Sequence, residues 1–467
     1  MDKHSKRFKA LLLAIPVIFV ILVVVFFQSA RNRHVFTVYA DGDYISQNLL
    51  DQFTQETGIR VRLVTGDRTP EAGANALLPE EEDASAVEEA KAQAIADGSA
   101  TAAADELTLP ELLQQPRDEV LAKAQEKAAK NGEASVDESE LVYPPSEYDV
   151  VLTDGATLGT LREQGLIQPL TYAKVSNLKN ITSEYRKLSY DPEGEYTVTT
   201  MWEYVGLLVN TNLVNEQVTS WDVLWDEKYA GEIVMPGQVR DAMAVALLAM
   251  GENPASAEPA RLNAALDKLE AQKDLVVSYS GRDAYLLLQN DKAAFYPCWS
   301  GDALAMMREN PALVYLLPPG GTYRTAFGYA VPADAKYTDD AHAFINFMCK
   351  TESLAKNAVY SKYASTSEAA VDKLDESWSD NPVIYPAASV LASTPLLNPL
   401  PLDVADHCNL RWKAISTVPV QDSADGEGDS SAASGSAAQA EQSAVQSAAT
   451  PSSAARTDSG SAPFGQS

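Results

Sequence analysis

An α/β fold is the fold class that the sequence predicts, and two observations support this prediction. Within residues 35–67, strand-like alternation gives way to a helix with Leu49, Leu50 and Phe53 on one face, and a second strand follows. The same order of strand and helix returns from Tyr148 onward. Strands that alternate with helices are typical of α/β domains whose sheets are mainly parallel.

The later units repeat this order along the chain. A buried strand in YDVVLTDG precedes a helix that ends at Gly165, and another strand precedes the apolar helix RDAMAVALLAMG. The runs KLEAQKDLVVSYSG and DKAAFYPCWSGDALAMM repeat the order once more. Without the atypical segments described next, roughly 300 residues of α/β sequence remain, which is enough for two lobes.

The N-terminal segment predicts a membrane anchor. Residues 10–27 carry no charge and are just long enough to span a hydrocarbon core about 30 Å thick. The basic residues before this run place the N-terminus in the cytoplasm and the rest of the chain outside. A cleaved signal peptide is the alternative, although no small-x-small cleavage pattern follows the run. Residues 1–34 are thus expected to form a cytoplasmic stub with a transmembrane helix, or a signal peptide.

Two further segments lack the composition of a folded core. In residues 68–146, acidic residues outnumber basic ones 18 to 6, and alanine and glutamate dominate. We expect an insertion of loose helices, such as one over Asp118–Lys130, or disorder, with an acidic interaction arm as the alternative. The Ser/Ala-rich tail, residues 416–467, is predicted to be disordered.

Composition and motifs exclude several classes of function. The chain has 65 acidic and 36 basic residues and a formal net charge of -29, so its surface would repel nucleic acid. Three cysteines (Cys298, Cys349 and Cys408) cannot form a disulfide scaffold. HExxH, GxSxG, Walker and GxGxxG motifs are all absent, so we predict no enzymatic activity, no bound metal and no cofactor.

Acidic and aromatic residues cluster where the predicted strands end. Open α/β sheets hold their ligands at this edge. Carboxylates among aromatic rings suit an organic cation, because the acids accept charge-assisted hydrogen bonds and the ring faces attract ammonium. The loops concerned are Tyr39–Tyr44, Thr153–Gly155, Arg240–Asp241 and Cys298–Asp302. The alternative is that Asp41, Asp43 and Asp154 simply cap the helices that follow.

Several stretches resemble one known family. LLDQFTQETGIRV, YDVVLTDGATLGTLREQGLIQPL, VTSWDVLWDEKYAGEIVM and SGDALAMMRENP are similar to the spermidine/putrescine-binding proteins of bacterial ABC importers. The similarity covers about residues 35–67 and 147–415. It implies a type II periplasmic-binding fold, in which two lobes joined by crossing strands close over a ligand. The implied lobes are 35–208 with 325–371, and 209–324 with 374–415.

The resemblance also implies a set of residues that line the ligand cleft. Asp241 matches an acid that binds an amine, and Trp299 matches a ring that packs on the methylene chain of the ligand. Thr153 replaces a serine that contacts ligand. The remaining matches are Asp43, Tyr44 and Tyr363.

Other cleft positions depart from the family. Asp41 stands where an aromatic residue is usual, Gly155 where tyrosine is common, and Gln238 at a position that is acidic in some members. Thr325 and Phe327 stand where a tryptophan and an aspartate are expected. A lost charge-assisted contact costs roughly 1.5 to 3 kcal/mol. The hypothesis is that Asp41 supplies the missing carboxylate from the opposite lobe.

These observations predict a monomeric, extracytoplasmic substrate-binding component that delivers a polyamine or similar small cation to an ABC permease. One alternative keeps the fold and changes the solute to ferric ion, a sugar, an amino-acid derivative or a carboxylate. Arg240 is compatible with a carboxylate ligand, whereas the sequence has no adjacent tyrosine pair that would bind ferric ion. The other alternative is a membrane-anchored sensor or adhesion module.

Overall fold

A mixed sheet flanked by helices organises the part of the chain that the structure describes. The structure is a computed structural model, and it describes residues 35–66, 108–131, 135–138 and 141–416. The anchor predicted in residues 1–34, most of the insertion and nearly all of the tail lie outside these ranges. Within them, no helix is both long enough and apolar enough to cross a membrane.

Eleven strands form the sheet within the described ranges. The strands are β1 Phe36–Ala40, β2 Val61–Thr65, β3 Val150–Asp154, β4 Ile167–Gln168, β5 Thr197–Asn210, β6 Ile233–Val234, β7 Val276–Ser278, β8 Phe295–Trp299, β9 Leu313–Leu316, β10 Arg324–Pro332 and β11 Ala364–Ser365.

The helices cover the sheet. They are α1 Gln47–Thr57, α2 Leu109–Asn131, α3 Gly155–Glu163, α4 Val239–Ala249, α5 Pro259–Gln272, α6 Gly281–Gln289, α7 Ser300–Glu309, α8 Thr338–Met348, α9 Thr351–Ser361, α10 Glu368–Val371, α11 Glu376–Ser379, α12 Ala388–Leu391 and α13 Leu402–Ile415. Short 3-10 turns are found at Tyr172–Lys174, Ser176–Asn180, Ser183–Tyr185, Trp221–Trp225, Glu227–Tyr229 and Lys273–Leu275.

The directions of the strands differ between the outer and the central part of the sheet. The order is β2-β1-β3-β10-β5-β8-β6-β7, with β4 on β10 and with β9 and β11 on β5. β1 is parallel to β2 and β3, and β6 is parallel to β7 and β8. β10 and β5 are antiparallel to their neighbours. The prediction of mainly parallel sheets is therefore wrong for these two central strands, because hydrophobic periodicity identifies a strand without fixing its direction.

Strand β5 joins two halves of the sheet. Its residues 197–204 pair with β10, and its residues 205–209 pair with β8. The first half contains β1–β4, β10 and β11, and the second half contains β6–β9. The hydrophobic clusters change at the same point, since Tyr204 packs in the core of the first half and Val205 in the core of the second.

The two cores have different helical contributions. In the first half, Leu49, Leu50 and Phe53 of α1 are buried, which confirms the apolar face predicted for this helix. The ring of Phe53 packs edge-on against Phe344 of α8, with ring centroids 5.2 Å apart. In the second half, α4 is buried on nearly all sides and packs with α5, α13 and the buried Trp221.

Helix α2 is the described helix of the acidic insertion. The predicted helical stretch Asp118–Lys130 lies within it and is confirmed as helical. Its attachment to the body was not predicted. Leu109 and Leu113 are buried in a cluster with Leu158 of α3, and Arg117 forms an ion pair with Asp334 at 2.8 Å. Two leucines one turn apart suffice to bury one edge of a helix that is polar elsewhere.

Helix α1 provides the first testable prediction. It ends at Gly58, whose φ is 74° and whose N–H donates to the Thr54 carbonyl at 2.8 Å. Because a side chain in this left-handed conformation is strained, Gly58→Ala should lower the free energy of unfolding by about 1 kcal/mol. The matched control is Gln55→Ala on the exposed face of the same helix, expected to change it by less than about 0.5 kcal/mol. Urea titration compares the two, and equal stabilities would contradict this description of the helix end.

Candidate functional site

A cavity of about 320 Å³ lies where the two halves of the sheet meet. Strands β5, β8 and β10 contribute to its lining, together with the starts of α3, α4 and α7 and the segment before α13. The lining residues are Tyr44, Asp154, Ala156, Glu203, Gln238, Val239, Arg240, Asp241, Trp299, Asp302, Thr325, Phe327, Tyr363, Leu397, Asn398, Pro399, Leu400, Ala405 and Asn409.

The residues predicted to bind ligand are Asp41, Asp43, Tyr44, Thr153, Asp154, Gln238, Asp241, Trp299, Thr325 and Tyr363, and seven of these ten line this one cavity. They are Tyr44, Asp154, Gln238, Asp241, Trp299, Thr325 and Tyr363. The remaining three, Asp41, Asp43 and Thr153, are not among the lining residues. The structure thus brings together residues that are up to 319 positions apart in the sequence (Tyr44 to Tyr363), and their contact with a ligand stays a prediction.

The three residues outside the lining make other contacts. The Thr153 hydroxyl donates a hydrogen bond to the buried Asp41 carboxylate. Asp43 accepts a hydrogen bond from the Tyr360 hydroxyl at 2.6 Å. Asp41 is bonded to Thr153 and is not among the lining residues, so its role as a replacement for the missing cleft carboxylate stays a hypothesis.

Asp154 combines the two roles that the sequence left open. It caps helix α3, where its Oδ1 accepts from the backbone N–H groups of Ala156 at 2.8 Å and Thr157 at 3.2 Å. Its Oδ2 accepts from the Thr157 hydroxyl at 2.8 Å. The same side chain lines the cavity, so capping holds this carboxylate in place at the cavity wall.

Aromatic rings form the apolar walls. Phe327 stacks on Tyr363 with centroids 5.0 Å apart and an interplanar angle of 25°, and Tyr44 lies 5.1 Å from Phe327 and 5.5 Å from Tyr363. Trp299 packs edge-on against Tyr323 at 5.4 Å. Phe327, which stands where the family would have an aspartate, thus completes a three-ring cluster instead of adding charge.

Asp241 is a buried carboxyl at the start of helix α4. Burial raises the pKa of Asp241 to about 6, although a hydrogen bond from Tyr323 and the nearby Arg240 guanidinium favour the charged form. The Tyr323 hydroxyl lies 3.3 Å from Oδ1. A carboxyl with this pKa is readily ionised when a cation approaches, because the opposite charge lowers the pKa again.

Two further carboxyl groups line the cavity: Glu203, which the sequence did not single out, and Asp302, which ends the predicted loop Cys298–Asp302 but was not assigned a ligand contact. Glu203 lies in the middle of β5, directly opposite Thr325 of β10, and Asp302 lies in the first turn of α7. Burial raises the pKa of Glu203 well above its usual range, and the neighbouring Asp302 raises it further. Burial also raises the pKa of Asp302 to about 8, against the effect of Lys362. An acidic residue inside the otherwise uncharged strand TVTTMWEYVGLLVN was the available sequence signal for Glu203.

Arg240 is the cationic side chain among the described lining residues. Its Nε donates to the Asn398 carbonyl at 3.4 Å, and its two terminal nitrogens are buried without a hydrogen-bond partner in the described ranges. Burial lowers the pKa of Arg240. With Asp154, Glu203, Asp241 and Asp302 in the lining, the carboxyl groups outnumber this single guanidinium by four to one.

The late segment 397–409 also contributes to the lining, although the sequence predicted only that it belongs to a lobe. Leu397, Asn398, Pro399 and Leu400 precede α13 and close one side of the cavity. Residues 397–400 contain no acidic or aromatic residue, so only their position in the fold reveals their place in the lining.

Comparisons with known proteins agree with the sequence resemblance. The family model of the bacterial extracellular solute-binding proteins matches residues 111–386. The spermidine/putrescine-binding periplasmic protein 1 of Haemophilus influenzae is 25% identical over 248 residues, which cover 53% of this chain and 69% of that protein. The putrescine-binding periplasmic protein PotF of Escherichia coli is 26% identical over 278 residues, covering 55% and 74%.

A solved structure shares the fold. The spermidine/putrescine ABC transporter substrate-binding protein PotD of Streptococcus pneumoniae superposes with a TM-score of 0.59 at 23% identity, and the match covers 82% of this chain and all of that one. Because the family model spans more than half of the sequence, the chain belongs to the bacterial extracellular solute-binding proteins.

Proposed function

We propose that this protein is the substrate-binding component of an ABC importer and that its cavity binds a polyamine such as putrescine or spermidine. The observation that carries the proposal is the lining itself, in which four carboxyl groups and one guanidinium stand between aromatic walls. Ammonium groups offer several hydrogen-bond donors to carboxylates, and ring faces attract them. The names of the relatives in Haemophilus influenzae and Escherichia coli support the same ligand class.

The proposed mechanism is closure of two lobes over the ligand. Tyr44 and Tyr363 belong to the first half of the sheet and its helices, and Asp241 and Trp299 to the second. A ligand that contacts both halves stabilises a closed form in proportion to its higher affinity for that form. The proposed lobes are those implied by the resemblance, with β5 as a crossing strand.

The partner and location follow from the same proposal. The closed form would be recognised by an ABC permease, and the protein would act as a monomer on the extracytoplasmic face of the membrane. The uncharged run 10–27 would tether it there, or would be removed as a signal peptide. An adhesion role would need none of the cavity carboxyls, whereas a sensor would bind its ligand with the same residues.

One observation supports a second candidate ligand class. The buried terminal nitrogens of Arg240 have no hydrogen-bond partner in the described ranges, and a guanidinium is well suited to bind a carboxylate in a bidentate manner. A zwitterion with an amine at one end and a carboxylate at the other would use Arg240 as well as the acids. 4-Aminobutanoate has this chemistry at nearly the length of putrescine. Comparing its affinity with that of putrescine therefore distinguishes a zwitterionic ligand from a polyamine.

Binding and melting experiments on the full-length chain test the proposal. Putrescine and spermidine should raise the melting temperature, because a ligand that binds only the folded state stabilises it by mass action. 1-Aminobutane, which has the same four-carbon chain and one amine, is the matched control and should bind much more weakly. If 4-aminobutanoate binds more tightly than putrescine, the ligand is a zwitterion and the polyamine proposal is wrong. If neither compound binds, both proposed ligand classes are wrong.

A further inference from the structure

Glu203 is an ionisable side chain in the centre of strand β5. It is only 2% exposed, and its partner across the β5–β10 pair is Thr325, so both side chains are on the face of the sheet that borders the cavity. A buried carboxyl in a central strand is costly unless it is paired or hydrogen-bonded. Such a position calls for a partner that compensates the charge.

The described residues compensate Glu203 only weakly. The nearest backbone donor is the Gly301 N–H, 3.5 Å from Oε2, at the N-terminal end of α7. The absence of a side chain at Gly301 leaves room for the Tyr363 ring beside this contact, because a Cβ there would lie 2.5 Å from a ring carbon. The Tyr363 hydroxyl also donates to the Glu203 carboxylate. Because an ionised carboxylate has about four acceptor sites, these two donors leave part of its acceptor capacity unused.

Asp302 stands one residue further along α7 and faces the same space. It is 5% exposed, lines the cavity, and accepts no hydrogen bond from the residues that the structure describes. Glu203 interacts with it as a like charge, and Lys362 favours its ionised form. Two buried carboxyls side by side repel each other when both are ionised, so an external cation is the group that would satisfy both.

We propose that Glu203 and Asp302 form a carboxylate pair that binds one ammonium group of the ligand and leaves Asp241 for the second. This inference rests on the proposed function and extends it to the selection of diamines over monoamines. The N-terminal end of α7 contributes partial positive charge to the ionised pair. In the empty cavity the pair retains a proton, in agreement with the raised pKa values of both groups.

The charge-neutral variant Glu203→Gln separates binding from structure. At pH 8 we expect it to weaken putrescine binding by about tenfold or more, the loss typical of one charge-assisted contact. Its effect on 1-aminobutane should be smaller, because a monoamine can still occupy the Asp241 end. The melting temperature of the ligand-free variant should stay the same or rise, since the substitution replaces a buried ionisable carboxyl with a neutral amide of the same shape. Glu195→Gln, at an exposed site just before β5, is the control and should alter neither quantity.

Calorimetric titrations and melting curves on the full-length chain give distinct outcomes. If the wild type binds putrescine and Glu203→Gln binds it within twofold, the pair is not an ammonium site and the inference alone fails. A lower melting temperature with unchanged affinity would assign Glu203 a structural role at the start of α7 and would overturn the inference equally. If the wild type binds no polyamine, the proposed function and the inference about the carboxylate pair both fail.

Discussion

Asp241→Asn is expected to weaken the binding of putrescine by about 10- to 100-fold at pH 8. Asp241 is buried between Arg240, Tyr323 and the cavity, and a neutral amide there would leave one ammonium group of the ligand without its carboxylate. The amide has nearly the shape of the acid, so the walls around it should be retained. Isothermal titration calorimetry of the two proteins measures the difference.

A surface substitution provides the comparison for Asp241→Asn. Asp372→Asn changes the net charge of the chain by the same amount at an exposed position outside the cavity. It should leave the dissociation constant within about twofold, because exposed charges at a distance are screened by salt. An equal loss of putrescine affinity in the two variants would mean that overall charge controls binding. An unchanged affinity in Asp241→Asn would show that Asp241 does not bind the ligand.

The affinity for putrescine should rise with pH between pH 6 and pH 8. In the empty protein, Asp302 has a pKa of about 8 and Asp241 of about 6, and burial is the main cause of both. A bound ammonium group favours the ionised carboxylates, so binding below pH 8 releases protons. Linkage then gives up to about tenfold in affinity per pH unit for each proton released. The amines of the ligand keep their charge throughout, since their pKa lies near 10, as for lysine.

The same groups determine how the stability of the empty protein depends on pH. An aspartate in the unfolded chain ionises near pH 4. Between about pH 4 and pH 8 the folded protein therefore holds more protons at Asp302 than the unfolded chain does, and the free energy of unfolding should fall as the pH rises. Putrescine should reverse part of this fall, with the largest increase in melting temperature near pH 8.

Asp302→Asn is the control for the pH dependence. It should bind putrescine with a flatter pH profile and release fewer protons, as measured by calorimetry in buffers of different ionisation enthalpy. Glu203, Asp154 and Lys362 also act within or beside the cavity, so some dependence on pH should remain. An affinity that is constant, or higher at pH 6 than at pH 8, would contradict the role assigned to these carboxyls.

Local patterns in the sequence predicted the elements of the fold well. The one-sided apolar face of α1 and the strand-to-helix turn at Asp154 are encoded within a few residues, and both are present in the structure. The antiparallel direction of β5 and β10 was not predicted, because it depends on how distant segments pair. The same limit applies to Asp41, whose bond with Thr153 joins two strands that are more than one hundred residues apart.

The candidate site was predicted in part for a similar reason. Trp299 is the last residue of the short strand β8, and Asp241 follows the short strand β6, so both lie where a recognisable turn marks the edge of the sheet. Glu203 lies within a long strand instead, and only the register between β5 and β10 shows that its side chain shares a face with Thr325. Residues 397–400 reach the cavity through the path of the chain before α13, which no local pattern reveals.

A crystal structure of the full-length chain with putrescine at pH 8 tests the central claim most directly. We expect the diamine in the cavity between the two halves of the sheet, with one ammonium group at Asp241, the other between Glu203 and Asp302, and the methylene chain over Trp299. Putrescine bound at another surface, or an empty cavity at saturating concentration, would contradict the claim that this cavity is a polyamine site.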